Sequence, residues 1–508
     1  MVKLDVAIKK TGKILLLLFI SVFILTVFLF TAETYLLLRY SKKLISVILN
    51  NETGSFKDTY SKWNKHSGFF LKIVKPVISG AGLDLWETAA KNLPEILGYN
   101  GKKVYFVLLQ NNTELRPTGG FLGSYAKLSF NNGALKDIVV QDIYIPDGQL
   151  KGHVDPPIPI QLAFRQGWFK LRDANWDPDF PTSAKVISWF FEKGNEEKQD
   201  GIIAINLELL KDILKITGPL YLPDYKLTVD ENNFYQVAQA NSEADFFPGS
   251  TQKTNILSAL SEVIFVKLKN FNSEDLVKLA KIFYKNLNTR QILVNFEDKK
   301  INVFFQKLNW GGSLKKVVLE KDKINDYLYT VEANLGANKA NKYVSREIKQ
   351  EIDFSEKGRA KERIKIVFKN TGTYFTPVKP FYLGVDYLNY LRLYLPKTAE
   401  KIIVKVEQDV LDKKNIFVEQ KEEFNLKGIG FFITIPVLSQ KSVDISYELP
   451  FEISETGRKI PYAIMIQKQP GINSLPYSLI LIKDGKSILS TDKNLLQDTE
   501  IKAEIMYN

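Results

Sequence analysis

The chain has 508 residues, more than a single hydrophobic core usually organises, which predicts two or three domains. It contains no cysteine, which excludes disulfide bonds and thiolate metal sites, and only two histidines, His66 and His153. The net charge of +12 is spread along the chain, and no nucleic-acid-binding motif accompanies it. We therefore expect no nucleic acid as a partner.

The N-terminal region is strongly apolar. Residues 14–32 carry no charge, and apolar residues resume at 35–38 beyond Glu33. A bilayer core of ~30 Å needs about 20 helical residues, so residues 14–38 are predicted to form a transmembrane helix after a cytoplasmic tail at 1–13. The segment lacks the small-residue ending of a cleaved signal peptide, so we expect it to be retained. A single N-terminal span before a large soluble region favours an extracytoplasmic location for the bulk of the chain.

The next region predicts helices and then an alternating pattern. Residues 39–100 are amphipathic and predict a helical, membrane-proximal stalk. Residues 101–320 then alternate buried strands with amphipathic helices, which predicts a mixed sheet flanked by helices. The predicted strands are 104–109, 124–130, 138–144 and 201–205, and the predicted helices are 183–193, 207–217, 255–268 and 273–287. Prolines predict an exposed loop over 146–159.

The C-terminal part has a different pattern. Short strands such as 363–368 and 402–406 are separated by glycine and proline, which predicts an antiparallel β-sandwich over residues 325–508. The predicted fold class is therefore α/β: an N-terminal transmembrane helix, a central mixed sheet flanked by helices, and a C-terminal antiparallel β-sandwich.

Two polar motifs lie where strands of the central domain are predicted to end, which is where α/β folds bind ligands. They are NNTELRPTGGFLGS at residues 111–124 and RDANWDPDF at residues 172–180. Both motifs contain arginine or aspartate, the residue types that phosphate chemistry uses. Cations bind the phosphate oxygens, and carboxylates hold a metal or accept a proton. The predicted catalytic residues are Arg116, Arg172, Asp173 and Asp179. The predicted ligand-binding residues are Thr118, Gly119, Gly120, Trp176 and Asp177, and the candidate magnesium ligands are Asp173 and Asp177.

Each motif also has a structural interpretation. An Asp-Pro-Asp sequence before a helix is ordinary turn and N-cap chemistry, and paired glycines suit a tight connection between strands. The tryptophans Trp168, Trp176 and Trp189 suit a sugar-stacking platform, although packing in the core is the favoured interpretation. His153 lies in the proline-rich stretch and is favoured as a loop residue over a catalytic base.

Residues 108–121 and 172–184 resemble the signatures of a bacterial domain-of-unknown-function family, number four-zero-one-two, whose members are membrane-anchored and have no assigned activity. Residues 200–205, 217–219 and 467–471 also match its pattern. The resemblance extends over most of the chain, from the anchor to about residue 475.

The order of elements is more distantly similar to the LytR-CpsA-Psr phosphotransferases, which attach glycopolymers from polyprenyl-pyrophosphate carriers to the bacterial cell wall. Residues 202–205, the helix from Leu207, and residues 217–220 resemble one block of that family, and residues 246–253 faintly resemble the start of a later helix. The chain departs from the family at 116–119 and 146–148, where an aspartate and an arginine that bind pyrophosphate are missing.

These observations predict a membrane-anchored, extracytoplasmic cell-envelope protein. It would bind or transfer a polyprenyl-phosphate-linked or phosphate-bearing glycopolymer, with the membrane and a cell-wall polymer as partners and magnesium as a candidate cofactor. The resemblance implies a glycopolymer phosphotransferase, but the sequence leaves open whether the chain is an enzyme. The alternative is a non-enzymatic surface scaffold or adhesion protein with a degenerate phosphotransferase-like domain.

Overall fold

A computed structural model describes residues 33–74, 81–237, 252–373, 385–454 and 457–507. The predicted membrane span at 14–38 lies outside these residues except for 33–38, which are helical, and most of the segment 246–253 also lies outside them. Among the described helices, none is both long enough and apolar enough to cross a membrane. The chain divides into two compact units. The first unit comprises Met1–Val104, Leu128–Ile138 and Phe265–Lys278. The second unit comprises Tyr105–Lys127, Val139–Ile264 and Leu279–Asn508.

Within the described residues before β1, the first unit contains the helices α1 (33–49), α2 (Phe56–Val74) and α3 (Ala81–Ile96). Their shared core is Leu37, Leu44, Val47, Phe56, Trp63, Ala90 and Leu97. The turn at Asn132 and Gly133 has positive φ at both residues, 53° and 78°, as a two-residue type I′ hairpin turn requires. A Cβ atom at Gly133 would lie 2.2 Å from the ring of Phe56, so the close packing also requires glycine.

The central domain has a mixed sheet, as predicted. Its strands are β1 (Lys103–Arg116), β2 (Gly119–Asn131), β3 (Ala134–Asp142), β4 (Gly201–Asn206) and, after the short pair β5 (Leu220–Leu222) and β6 (Leu227–Val229), β7 (Ile292–Phe296). The strand order is β3-β2-β1-β4-β7, with β1 and β4 parallel and β4 and β7 antiparallel. The helices are α4 (Tyr144–Gln149), α5 (Ile158–Phe164), α6 (Phe180–Lys193), α7 (Leu207–Thr217), α8 (234–237), α9 (Gln252–Lys269), α10 (Ser273–Asn288) and α11 (Lys299–Lys307).

Two predictions for this domain were wrong. β1 runs on to Arg116 and β2 begins at Gly119, so the first polar motif forms a hairpin and not a loop after a short strand. The proline-rich stretch contains α4 and α5, although a loop was expected there. Proline is compatible with the first turn of a helix, where the missing N–H would have no helical partner, and Pro159 occupies such a position in α5.

The C-terminal part is a two-sheet domain. One sheet has the order β13-β12-β16-β10-β9-β18-β19 and the other β14-β15-β11-β8-β17-β20. The strands are β8 (Ile324–Asn334), β9 (Val344–Asp353), β10 (Arg359–Asn370), β11 (Tyr387–Pro396), β12 (Glu400–Val406), β13 (Asp409–Val410), β14 (Phe417–Lys421), β15 (Leu426–Ile435), β16 (Ser439–Pro450), β17 (Arg458–Gln467), β18 (Leu475–Lys483), β19 (Lys486–Leu495) and β20 (Thr499–Tyr507).

The two sheets share one hydrophobic core, to which Ile348 and Ile364 contribute from one sheet and Leu391 and Ile464 from the other. The expectation of C-terminal strands is confirmed, but the pairing is not purely antiparallel. β8 pairs with β17, and β9 with β18, in parallel. These pairings join strands far apart in the sequence, which the local pattern of residues does not specify.

Two acidic side chains are buried inside this core. Asp326 accepts a hydrogen bond from the Tyr462 hydroxyl at 2.9 Å, and Glu362 accepts from the Tyr447 hydroxyl at 2.6 Å and from Gln350 at 2.8 Å. Burial raises the pKa of Asp326 to about 6 and the pKa of Glu362 well above its ordinary value. Both groups therefore bind protons more readily in the folded chain than in the unfolded chain.

This burial predicts a pH dependence of stability. A carboxyl group whose pKa is raised in the folded state stabilises the fold at low pH, and that contribution is lost as pH rises through the folded pKa, here about 6 for Asp326. Asp326 should make the unfolding free energy of the wild-type chain fall between about pH 4 and pH 7. In Asp326→Asn this fall should be smaller by roughly 2–3 kcal/mol. Denaturant titrations at several pH values would measure this, with exposed Asp409→Asn as the control. Equal pH profiles for wild type and Asp326→Asn would contradict the assignment.

Candidate functional site

A cavity of about 550 Å³ lies at the carboxyl ends of β1 and β4. Its walls come from β1, the start of β2, α4, the turn Leu171–Asp173, and the start of α7. The two-sheet domain adds Ala337 and Lys339. Because β1 and β4 are parallel neighbours, their ends share the sheet edge at which α/β folds place ligands.

Arg116 is the most buried charged residue of this cavity, with 2% of its surface exposed. Its Nη2 atom lies 3.0 Å from Glu114 Oε1 and 3.5 Å from Asp173 Oδ1. Its Nη1 atom donates a hydrogen bond to the Asn334 carbonyl at 2.5 Å. A buried guanidinium without such partners would be strongly destabilising, so both carboxylates are needed to hold Arg116 in place.

Arg172 continues this arrangement nearer to solvent, with 24% of its side chain exposed. Its Nη1 atom donates to Asp147 Oδ2 at 3.2 Å, and its Nε atom lies 3.8 Å from Asp173 Oδ2. The guanidinium also lies over the Tyr144 ring, 5.2 Å from the centroid. Burial raises the pKa of Asp147, although the Leu171 N–H and Arg172 act in the opposite direction.

Together these contacts form a series of alternating charges that we call the ion-pair chain. Lys339 Nζ lies 4.0 Å from Glu114 Oε2 and begins the chain. In order, its members are Lys339, Glu114, Arg116, Asp173, Arg172 and Asp147. Asp173 bridges the two arginines that the sequence singled out, so the structure brings Arg116, Arg172 and Asp173 together.

Another part of the cavity lining is apolar. Leu207, Leu210 and Tyr235 line it and pack against a buried cluster that includes Phe234 and Leu214. The lining also contains buried amides, of which Gln110 donates a hydrogen bond to the Thr118 hydroxyl at 3.0 Å. Within the described residues, Gln110 Oε1, Ser124 Oγ and Asn206 Oδ1 are buried without a hydrogen-bond partner. The cavity therefore combines an apolar wall with charged and amide side chains in its lining.

The glycine pair has a packing role in this structure. A Cβ atom at Gly120 would lie 2.2 Å from the Asn111 carbonyl carbon, and one at Gly119 would lie 2.3 Å from Gln110 Oε1. Thr118 is fully buried. Side chains at the glycines would therefore separate β1 from β2, which corresponds to the tight connection that the sequence also allowed. These residues do not line the cavity; the neighbouring Gln110 and Asn111 do.

Asp179 lies outside the cavity and is saturated with hydrogen bonds. It caps α6 through the Thr182 N–H at 3.1 Å and the Thr182 hydroxyl at 2.7 Å. Its other oxygen accepts from the Ser313 hydroxyl and the Leu314 N–H, both at 3.0 Å. The carboxylate thus fixes a helix start to the segment that leads into the two-sheet domain.

Asp177 and Trp176 also contact the two-sheet domain. Asp177 Oδ2 lies 2.6 Å from Lys421 Nζ, and its Oδ1 accepts from the Asp179 N–H at 2.9 Å. Trp176 stacks on Tyr390 at 5.5 Å, with the Arg392 guanidinium 4.5 Å from the centroid of the indole. The second polar motif is therefore divided: its start lines the cavity, and its later part holds two domains together.

The described residues contain no group of three or more acidic or histidine side chains arranged to hold a metal ion. Each predicted magnesium ligand contacts a cation, since Asp173 lies between two guanidinium groups and Asp177 contacts an ammonium group. A divalent ion at either carboxylate would have to displace that cation. His153 contacts Asp155 at the exposed surface, as its loop interpretation implies.

Sequence reasoning did not assign Glu114 or Lys339 to the site. Glu114 had a usable signal, because it lies two residues before Arg116 on the same strand and therefore on the same face. Lys339 reaches the site from a distant domain, through a turn that the local sequence does not connect to the cavity. Asp147 lies in the segment 146–148, where the sequence pointed to a missing arginine.

Residues 100–242 match the model of DUF4012, a protein family of unknown function. This match supports the predicted family resemblance over those residues. A search of curated proteins finds no match.

Solved structures give weak likenesses. A proposed nutrient-binding protein from Legionella pneumophila is 10% identical, with 32% of this chain and 54% of that chain covered and a TM-score of 0.14. The Lin1025 protein from Listeria innocua is 12% identical, with 41% of this chain and 80% of that chain covered and a TM-score of 0.24. A proposed transcriptional factor from Listeria monocytogenes is 13% identical, with 47% of this chain and 84% of that chain covered and a TM-score of 0.22. The matched region spans about half of the Legionella protein, and TM-scores this low establish no shared fold.

The contacts of Asp179 predict a large stability effect. Asp179→Ala removes a helix cap and two further hydrogen bonds to buried groups, so we expect a loss of roughly 2–4 kcal/mol. Asp298 is a matched control, because it only caps α11 through the N–H groups of Lys300 and Ile301. Asp298→Ala should cost about 1 kcal/mol. Denaturant titration of both variants measures the difference, and equal losses would show that the contacts to Ser313 and Leu314 contribute nothing.

Proposed function

We propose that this chain is a membrane-anchored, extracytoplasmic envelope protein that binds a polyprenyl-phosphate-linked or phosphate-bearing glycopolymer in the cavity at the end of β1. One observation carries the proposal: a single cavity joins an apolar wall to an arginine-containing ion-pair chain. A lipid-linked phosphate has the same two parts, an apolar chain and an anionic head.

Arg172 is the residue we assign to the phosphate. It is partly exposed, whereas Arg116 is almost wholly enclosed by its carboxylates. A guanidinium presents a planar fork of donors that suits phosphate oxygens, and a phosphate would replace a carboxylate as its partner. In this proposal Arg116 positions Asp173, and Asp173 in turn orients Arg172.

The apolar part of the ligand would lie against Leu207, Leu210 and Tyr235. Their burial of apolar surface supplies affinity at about 25 cal/mol per Å² before the costs of association. The cavity volume of about 550 Å³ lies within the range of roughly 300–1,000 Å³ that is common for ligand pockets.

Membrane attachment and envelope location rest on the sequence. The uncharged residues 14–32 support an anchor, and the order of elements supports the distant resemblance to LytR-CpsA-Psr phosphotransferases. Transfer of the polymer would need a hydroxyl to attack the phosphorus next to the polymer, so that the phosphoanhydride bond breaks and polyprenyl phosphate leaves. Asp173 or Asp147 would accept the proton of the attacking hydroxyl. Asp179 is not part of this proposal, because its carboxylate is saturated outside the cavity.

In this proposal magnesium would bind together with the pyrophosphate group of the ligand. Asp173 already contacts two arginines, so phosphate recognition by arginine comes first and the ion is tested separately. One observation favours the scaffold alternative: every cation of the ion-pair chain already has a carboxylate partner. Such a cluster stabilises a fold without a ligand.

A thermal-shift experiment on the full chain, purified in detergent, tests binding with farnesyl pyrophosphate as the probe. Binding to the folded state at about 100 times the dissociation constant stabilises it by about 2.7 kcal/mol, which should raise the melting temperature by several degrees. Arg172→Ala should weaken binding at least about tenfold, since it removes a charged hydrogen-bonding partner. The same titration with magnesium measures whether the ion adds to the affinity.

Arg363→Ala is the matched control, since Arg363 is 78% exposed and pairs only with Glu351 within the described part of the two-sheet domain. It should keep the full ligand-induced rise. A folded wild-type protein that shows no rise, or an Arg172→Ala variant with an unchanged rise, would contradict the proposal and favour the scaffold.

A further inference from the structure

Large apolar side chains are exposed on one part of the central domain. Trp168 and Trp189 were expected to pack in the core, and this prediction was wrong. The exposed fractions are Ile145 45%, Ile158 58%, Leu162 56%, Trp168 52% and Trp189 41%. We call this set the apolar surface. Five large apolar side chains at such exposure indicate an interaction site when their elements adjoin.

α4 and the segment of Trp168 both contact α6, and α5 leads directly into that segment. α4 packs against the end of α6, since a Cβ atom at Gly194 would lie 2.7 Å from Pro146. Phe169, next to Trp168, packs edge-on against Phe190 at 5.5 Å, and Phe190 in turn contacts Trp189 at 5.1 Å. The loop that contains Trp168 follows α5 directly. The apolar surface is therefore built on adjoining segments and not scattered over the domain.

Cations accompany the exposed rings. Lys170 Nζ lies 5.3 Å from the centroid of Trp168, and Lys193 Nζ lies 6.0 Å from the centroid of Trp189. Arg165 is exposed between α5 and Trp168. Asp155 and Glu192 are the exposed carboxylates nearby in sequence, and Asp155 is hydrogen-bonded to His153. Tryptophan with flanking lysine is the combination that favours a membrane–water interface, where the ring lies at headgroup level and the ammonium group contacts anionic lipid.

The same elements also form part of the cavity. Tyr144 begins α4 and lines the cavity, whereas the next residue, Ile145, is exposed. Phe164 ends α5 and lines the cavity with Gln166, whereas Leu162 is exposed. α4 and α5 therefore each contribute residues both to the cavity lining and to the apolar surface.

We propose that the apolar surface docks on an anionic lipid bilayer and that a lipid-linked ligand enters the cavity beside α4 and α5. The second half of this inference rests on the proposed function; the docking does not. The partner is a lipid surface because each exposed tryptophan has a lysine over its ring, an arrangement that matches acyl chains below and phosphate groups above.

The absence of cysteine from the sequence permits a site-specific test. Leu162→Cys in the full chain is labelled with an environment-sensitive nitrobenzoxadiazole dye and reconstituted into vesicles of phosphatidylglycerol and phosphatidylcholine. Leu438→Cys is the matched control, because Leu438 is 73% exposed and lies in the two-sheet domain. The dye at position 162 should emit at shorter wavelength and be quenched several-fold by lipids carrying a nitroxide on the acyl chain. The dye at position 438 should show neither change.

The charge requirement is tested with the double variant Lys170→Gln and Lys193→Gln. Quenching at position 162 should fall several-fold on phosphatidylglycerol vesicles and change little on pure phosphatidylcholine. If the dye at position 162 reports water on every vesicle, as the dye at position 438 does, the proposal is overturned and a protein partner becomes the occupant.

A second variant separates this inference from the proposed function. Leu162→Ser should weaken lipid contact, which is measured with a dye attached to Ile158→Cys in the same chain. The Leu162→Ser chain should keep the thermal shift with farnesyl pyrophosphate in detergent. If the wild-type chain shows no thermal shift with farnesyl pyrophosphate while the dye on Leu162→Cys is still quenched by lipid, the proposed function alone is overturned.

Discussion

The structure depends on how Arg116 is held at the end of β1. Its guanidinium is enclosed by Glu114, Asp173 and the carbonyl of Asn334, so three separate segments converge on one charge. Burial of an arginine is tolerable only when its partners are fixed, and each of these partners is fixed by a different element. The result is a rigid centre from which Arg172 reaches toward solvent.

The segment 467–471 completes this centre from the C-terminal side. Gln469 donates to the Arg116 carbonyl at 3.0 Å and to the Glu332 carbonyl at 2.8 Å, so it bridges β1 and β8. A Cβ atom at Gly471 would lie 2.5 Å from the Gly119 carbonyl oxygen, which explains a glycine there. Burial and the nearby Arg290 lower the pKa of Lys468 to about 7, and its ammonium donates to the Thr289 carbonyl. Both domains thus build the surroundings of Arg116, and Ala337 and Lys339 bring the two-sheet domain to the cavity wall.

Sequence reasoning found the parts of the site that are local. The strands around β1 and β4 are recognisable from continuous apolar runs, and Arg116, Arg172 and Asp173 were identified as candidates because they lie in two polar motifs of the same domain. It failed where tertiary contacts decide the role of a residue. The carboxylates of Asp177 and Asp179 contact groups more than a hundred residues away, and the apolar ring of Trp168 is exposed where burial was expected. The parallel pairing of β9 with β18 belongs to the same class, because no local periodicity encodes a partner strand.

The central claim is that Arg172 contacts a phosphate while the apolar wall holds its lipid. Phosphorus NMR of farnesyl pyrophosphate added to the full chain tests this contact directly. The account predicts that wild-type protein shifts and broadens the terminal phosphorus resonance, and that Arg172→Lys, which lacks the planar fork, largely abolishes the shift. A resonance that responds equally to wild type and to Arg172→Lys would show that the phosphate lies elsewhere and would contradict the account.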